Sequence, residues 1–260
     1  RDLHTAYRRQ RQMCIRDRCL GSPVMAADPE IKQWKTPHAM GCMLLRECVD
    51  GVRKIRSSSD VDEYFDGPQA REIQAEFDEL IILLNMAGFG VFVGDEKYFP
   101  YGQRGAYHTP SNNFFLNQSY MELPGTIIVV TRHEGWHVAQ DCMAGTIENS
   151  VLALIHNEED VPMLWQSIGE NTYGKSALPW EKEALWAGHT KGMTVKALDA
   201  CVRGNMWEVY EPTPLTKKYL IEEGYIKDLS LIHISEPTRP LSISYAVFCL
   251  KKKMGGGGGG

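Results

Sequence analysis

Apolar residues recur at helical spacing over most of the chain between residues 36 and 223. The clearest case runs from Pro68 to Met86, where five apolar residues share one helical face and Gly88 and Gly90 follow the last of them. The apolar spacing predicts further helices at 36–55, 126–143, 146–156, 179–202 and 214–223. Pro179 is a residue suited to the first turn of a helix.

Two short apolar runs between the helices have the character of strands. They are Gly90–Gly94 and 113–118, and the stretch 95–112 that separates them is rich in Gly, Pro, Tyr and Asn, which predicts a loop. Asp60, with Glu63 three residues later, matches a helix-capping box. The order of helices, small sheet and helices, with no repeat and no linker, predicts one α+β domain that is mainly helical.

The two ends of the chain differ from the middle. Residues 1–18 are basic and without amphipathic period, and the tail 229–260 ends in a lysine run followed by six glycines, as translated poly-A and poly-G would. Both segments resemble translated sequencing-adapter DNA. We therefore expect them to be non-native and the domain to span 19–228.

Removing these ends changes the charge balance. The formal net charge is −5, and the ends carry +4 and +3, so residues 19–228 carry −12. An acidic domain disfavours binding to nucleic acid or anionic lipid. With 43% hydrophobic and 23% charged residues and no run of 18 apolar residues, the composition is that of a globular protein without a membrane span.

The cysteines show no metal-binding or disulfide framework. Five lie within the expected domain, at Cys19, Cys42, Cys48, Cys142 and Cys201, and none forms a CxxC pair. An odd number of scattered cysteines favours buried, reduced thiols. Such thiols favour a cytoplasmic location, and the lack of a visible signal peptide adds no support because the first residues are expected to be non-native.

The predicted helix 126–143 contains the pattern HExxH. His133 and His137 are one turn apart, so both imidazoles project from one face and can occupy two corners of a zinc tetrahedron. Glu134 is placed to take a proton from a metal-bound water, whose pKa zinc lowers to about 7. The apolar flanks favour a buried zinc helix over a surface helix that carries two histidines by chance, and Trp136 is expected to be a core aromatic.

A catalytic zinc also needs a third protein ligand and an open fourth position. The downstream candidates are His156, Glu158, Glu159, Glu170, Glu181, Glu183 and His189. Glu181 and Glu183 are the most suggestive because they open an apolar helix. They lie about 200° apart around a helix, so only one can face the metal, and spacing does not choose between them. Either one could instead be a helix-start carboxylate that interacts with the helix dipole.

The string HEGWH at 133–137, followed by EKEA at 181–184, resembles the gluzincin arrangement of zinc metallopeptidases. This resemblance, which covers about residues 90–200, implies a zincin-like fold and a peptide or protein substrate. It implies Zn²⁺ bound by His133, His137 and Glu181, with Glu183 as the fallback ligand and Glu134 as general base. The Asp that often follows the third ligand by four positions is Leu185 here, and His156 does not fit the three-histidine motif of metzincins.

An oxyanion in the transition state needs a further donor. Tyr107, His108, Tyr173 and His189 are candidates from their place in the sequence, and each also fits a purely structural role. The sequence thus predicts a zinc-dependent hydrolase, with a catalytically inactive zincin-fold protein as the alternative. The acidic charge and the missing Asp motivate that alternative.

Overall fold

The computed structural model describes residues 34–173 and 178–227. The α-helices in these ranges are α1 (Pro37–Leu44), α2 (Pro68–Met86), α3 (Pro124–Met143), α4 (Met163–Thr172), α5 (Leu178–His189), α6 (Met193–Arg203), α7 (Met206–Val209) and α8 (Pro214–Glu222). The strands are β1 (Val52–Lys54), β2 (Gly90–Gly94), β3 (Gly105–His108) and β4 (Asn113–Asn117). The predicted α+β fold, mainly helical with a small sheet, is confirmed.

The sheet has the strand order β1-β2-β4-β3, so that β3 forms one edge. β2 and β4 are parallel, and each outer strand is antiparallel to its neighbour. Val91 and Phe114 belong to the core that the sheet shares with α2 and α3. Phe92 and Phe115 stack at 5.3 Å on the opposite face, against Met43 of α1. Both faces of β2 and β4 are covered, which explains their continuous apolar runs.

Helix α3 is the central element and is buried along most of its length. On one side it packs on the sheet and α2, and on the other it contacts α5 and α6 through small residues such as Ala139 and Ala184. A Cβ on Gly188 of α5 would lie 3.1 Å from the Val129 carbonyl oxygen and 3.3 Å from the His133 Cβ. The glycine therefore lets α5 approach the backbone of α3 closely.

A buried ion pair fixes α3 against α2. Arg132 is 9% exposed, and its guanidinium donates to both carboxylate oxygens of Glu76, at 2.8 and 2.6 Å. Burial raises the pKa of Glu76, but Arg132 outweighs it and holds that pKa below its usual value. The hydroxyl of Thr194 on α6 donates to the Arg132 carbonyl at 2.9 Å. These contacts fix α3 at Arg132, directly before His133.

The predicted helix 36–55 is wrong in its second half. Helix α1 ends at Leu44, and Arg46 and Gly51 have φ angles of 59° and 74°, in the left-handed region that no helix continues through. The chain then forms β1, whose backbone pairs with β2. Strand pairing has overridden the helical spacing of the apolar residues.

The predicted capping box is also wrong. Residues Ser58–Tyr64 form a 3₁₀-helix, and Asp60 accepts a hydrogen bond from the Arg56 backbone N–H at 2.7 Å, upstream of the helix. Glu63 forms an ion pair with Arg53. The two carboxylates that suggested a cap thus bind groups outside the helix.

Strand β3 lies inside the predicted loop 95–112. It is only four residues long and owes its strand conformation to pairing with β4. Helix α4 was not predicted. The predicted helix 179–202 is two helices, α5 and α6, separated at Gly192, whose φ is 78°.

The predicted helix 146–156 is absent, and its place is taken by an irregular segment. The side chains from Val151 to Ile155 are buried, and the backbone of this segment makes hydrogen bonds to other elements instead of to itself. The Ala153 N–H donates to the Gln140 carbonyl at 2.9 Å, and the Ile155 N–H donates to the Glu183 carboxylate. Partners on α3 and α5 satisfy these groups, so no helix is required.

The cysteines correct the expectation of reduced thiols. Cys42 is bonded to Cys48 and Cys142 to Cys201, with Cα–Cα distances of 5.2 and 5.7 Å. Disulfides of this kind persist in oxidising compartments, so the argument for a cytoplasmic location loses its basis. The second disulfide joins the end of α3 to α6.

No helix within residues 34–173 and 178–227 combines the length and apolar character needed to cross a bilayer. The segments 1–18 and 229–260, expected to be non-native, lie outside the described residues.

We predict that replacing Cys142 and Cys201 together by Ser lowers the free energy of unfolding by about 2–5 kcal/mol, because the bond constrains a long loop of the unfolded chain. Urea unfolding measures the change. The matched control replaces Cys42 and Cys48 by Ser. These cysteines are six residues apart, whereas Cys142 and Cys201 are 59 apart, so the control is expected to lower the free energy of unfolding by less. Recovery of alkylated Cys142 in a peptide map of the unreduced protein would contradict the assignment.

Candidate metal centre

Three side chains from two helices converge on one point. His133 and His137 of α3 direct their Nε2 atoms at the carboxylate of Glu181 on α5, with distances to its Oε2 of 3.2 and 3.6 Å. One ligand atom from each of the three residues lies within 4.8 Å of the other two. All three side chains are largely buried. Two imidazole nitrogens and one carboxylate oxygen form a donor set that could hold a metal ion.

Glu183, the fallback ligand, points elsewhere. Its carboxylate accepts from the Trp136 indole at 3.2 Å, from the Gln140 amide at 2.7 Å and from the backbone N–H groups of Ile155 and His156. It is 1% exposed, and burial raises its pKa to about 7 although these donors favour the charged form. Glu183 therefore serves as an acceptor in the core, and Glu181 is the carboxylate beside the histidines.

The electrostatics of the three residues favour a positive charge between them. Burial raises the pKa of Glu181, but His137 and His133 outweigh it and hold that pKa well below its usual range. Burial lowers the pKa of His137, yet Glu181 and Glu134 raise it to about 9. The Glu181 Oε2 atom is buried and has no hydrogen-bond partner among the described residues, so a cation would satisfy an otherwise orphaned oxygen.

Gln140 orients one of the histidines. Its Oε1 lies 2.8 Å from Nδ1 of His137, and its Nε2 donates to the Glu183 carboxylate and to the Trp180 carbonyl. Because the amide donates from its nitrogen, its oxygen accepts from a protonated Nδ1 and leaves Nε2 free to bind a metal. The position of Gln140 three residues after His137, on the same side of the helix, is the sequence signal for this role.

Glu134 lies beside the edge strand. A Cβ on Gly105 would lie 2.7 Å from Val130 Cγ1 and 3.1 Å from Glu134 Cγ, so the backbone of β3 passes directly over this part of α3. Burial raises the pKa of Glu134, while the histidines and the backbone N–H of Tyr107 lower it in part. The carboxyl is thus held in partly desolvated surroundings next to the two ligand candidates.

Tyr173 is the one oxyanion candidate that the structure places against the three convergent residues. Its ring stacks on His133 with a centroid distance of 6.4 Å. Burial and the nearby carboxylates of Glu181 and Glu134 raise the pKa of Tyr173 well above its usual value, so its hydroxyl stays protonated.

The other sequence candidates have different partners. His189 stacks on Trp165 at 4.3 Å, and His156 lies between aromatic rings, with Trp136 at 5.8 Å. His108 contacts Ser111 through Nδ1 at 2.7 Å, and the Tyr107 hydroxyl donates to Asp141. Glu158 and Glu170 form ion pairs with Lys182, and Glu159 is exposed.

Comparison with known proteins adds nothing to this geometry, since no family model, no curated protein and no solved structure matches the chain. Any functional conclusion must come from the residues themselves.

We predict that the purified full chain, reconstituted and dialysed, binds about one zinc, and that Glu181→Ala and His137→Ala abolish this binding because each removes a ligand. Glu183→Gln keeps the zinc and instead lowers the free energy of unfolding by about 1–3 kcal/mol, since the amide cannot accept from every donor. Elemental analysis and urea unfolding provide the two readouts. Zinc retained by Glu181→Ala and lost by Glu183→Gln would reverse the assignment.

Proposed function

We propose that this protein is a zinc-dependent hydrolase whose substrates are peptides or proteins. The observation that carries the proposal is the convergence of His133, His137 and Glu181 around an orphaned carboxylate oxygen, with Glu134 beside them. This is the His₂Glu ligand set of catalytic zinc sites, which leaves a fourth position open. The likeness of HEGWH and EKEA to gluzincins points in the same direction.

When bound, zinc supplies a Lewis acid that polarises a substrate carbonyl and makes water acidic enough to ionise near neutral pH. The protein residues supply the rest. Gln140 holds His137 with Nε2 directed at Glu181, where it would bind the ion, and Glu134 would accept the proton of the attacking water and pass it to the leaving amine. Raising the pKa of Glu134 through burial improves its match to this task.

The outer edge of β3, which pairs with no other strand within residues 34–173 and 178–227, is the feature that favours a peptide substrate. The Asn117 N–H donates to the Arg104 carbonyl, so by antiparallel alternation residues 104, 106 and 108 pair with β4. The backbone groups of Gly105 and Tyr107 then face the outer edge beside Glu134, where the Gly105 carbonyl accepts from the Gln103 side-chain amide at 2.8 Å and the Tyr107 N–H interacts with Glu134. An extended peptide that displaces the Gln103 amide could pair with this edge as an added strand, with its scissile carbonyl next to the general base.

In this proposal the Tyr173 hydroxyl donates to the oxyanion of the transition state. Its hydroxyl is held neutral beside Glu181, and a neutral phenol is a hydrogen-bond donor.

We predict that Glu134→Gln retains about one zinc per chain and loses about 10²- to 10⁴-fold in kcat/KM, because the amide cannot accept a proton. The measurement uses a mixture of internally quenched fluorescent peptides, with zinc content determined on the same samples. Glu122→Gln, an exposed carboxylate just before α3, is the control and keeps full activity. Undiminished hydrolysis by Glu134→Gln would exclude the mechanism. A zinc-loaded wild-type protein without any hydrolysis would favour the inactive alternative.

A further inference from the structure

One buried carboxyl near the site has no part in the chemistry above. Asp141 of α3 is 0% exposed, and its Oδ2 accepts from the hydroxyl of Tyr107 on β3. Its Oδ1 has no hydrogen-bond partner among the described residues. A half-satisfied carboxyl in the core is costly, and an apolar pair of similar shape would stabilise the fold better. Because burying Asp141 lowers the stability of the fold, this residue is expected to have a role other than stability.

The placement of Asp141 suggests that role. It follows Glu134 by seven residues, two helical turns, so the two carboxyl groups lie along the same face of α3. On β3, Gly105 and Tyr107 are two residues apart and face the same side of the strand. Gly105 lies against Glu134, and Tyr107 reaches Asp141. The strand is therefore attached to the helix at two points.

We propose that Asp141 and Tyr107 are positioning residues that hold the edge strand β3 in register against α3, so that the backbone N–H of Tyr107 stays aligned with the general base Glu134. This inference rests on the proposed hydrolase function. A strand held only at Gly105 could pivot about that contact, whereas a second attachment two residues along fixes its direction. The alignment sets both the environment of Glu134 and the edge offered to a substrate.

The chemistry of the pair suits a permanent contact. Burial and the neighbouring Asp141 raise the pKa of Tyr107 well above its usual value, so the phenol remains a donor. The Tyr107 ring is held separately by an edge-on contact with Phe89, with centroids 5.7 Å apart. Tyr107→Phe should therefore remove the hydrogen bond and keep the ring in place.

The test separates positioning from stability. Tyr107→Phe is expected to lower Tm by about 2–4 °C and kcat by about 10- to 100-fold, with zinc content unchanged. The double variant Tyr107→Phe/Asp141→Leu removes both partners, so Tm recovers while kcat stays low. Asp141→Asn retains an acceptor oxygen and is expected to be far more active than Asp141→Leu. Recovery of kcat together with Tm in the double variant would reduce the pair to a structural contact.

A matched control comes from another buried tyrosine. Tyr98 is 1% exposed and its hydroxyl donates to the Asp50 carbonyl at 2.7 Å, on the face of the sheet away from α3. Tyr98→Phe is expected to lower Tm comparably without changing kcat. An equal fall in kcat would attribute the effect to general loosening and overturn the proposal.

Hydrogen exchange tests the same contact without any activity. In the metal-free full chain, Tyr107→Phe is expected to raise amide exchange across residues 104–108, whereas Tyr98→Phe is not. Unchanged exchange in Tyr107→Phe overturns the proposal. If the wild-type protein hydrolyses nothing, the proposed function fails, and exchange alone still decides whether the pair fixes β3.

Discussion

The arrangement of this domain depends on one buried carboxylate, that of Glu183. It accepts hydrogen bonds from Trp136 and Gln140 of α3 and from the backbone of the segment 151–156, while belonging itself to α5. Three parts of the chain that are distant in sequence are thereby joined at a single group. Glu183 and Glu181 lie in the same turn of α5. The hydrogen bonds that hold Glu183 in the core therefore also hold Glu181 against the two histidines.

This anchoring restrains the three candidate ligands through contacts within the protein. Gln140 connects Glu183 to His137. Arg132, the residue before His133, is fixed by its ion pair with Glu76. Small residues at Ala184 and Gly188 let α5 approach α3 closely. The three candidate ligands therefore converge through packing and hydrogen bonds of the protein itself, which is the preorganisation that a catalytic centre requires.

The sequence predicted those elements whose pattern is local and failed where long-range contacts decide. The predictions agree with the structure for helices α2, α3 and α8 and for strands β2 and β4. Each of these segments contains an amphipathic spacing or an apolar run of its own. β1, β3 and the segment 151–156 were missed because their conformation comes from partners elsewhere in the chain. HExxH was visible as a motif, and the likeness to gluzincins implied Glu181, but spacing alone did not separate Glu181 from Glu183. The four donors around Glu183 come from distant parts of the chain, and the disulfides likewise depend on the fold to bring their cysteines together.

If the edge strand binds a peptide as proposed, its chemistry has a consequence for selectivity. The residue of β3 that lies over Glu134 is a glycine, and its carbonyl accepts from the Gln103 side chain, a bond that the backbone of any polypeptide could replace. Binding at such an edge would depend on the conformation of the bound backbone and not on the identity of its side chains. A segment already bound into a helix or a sheet has no free main-chain groups to offer, so the conformational state of a polypeptide, more than its sequence, would decide whether it is bound.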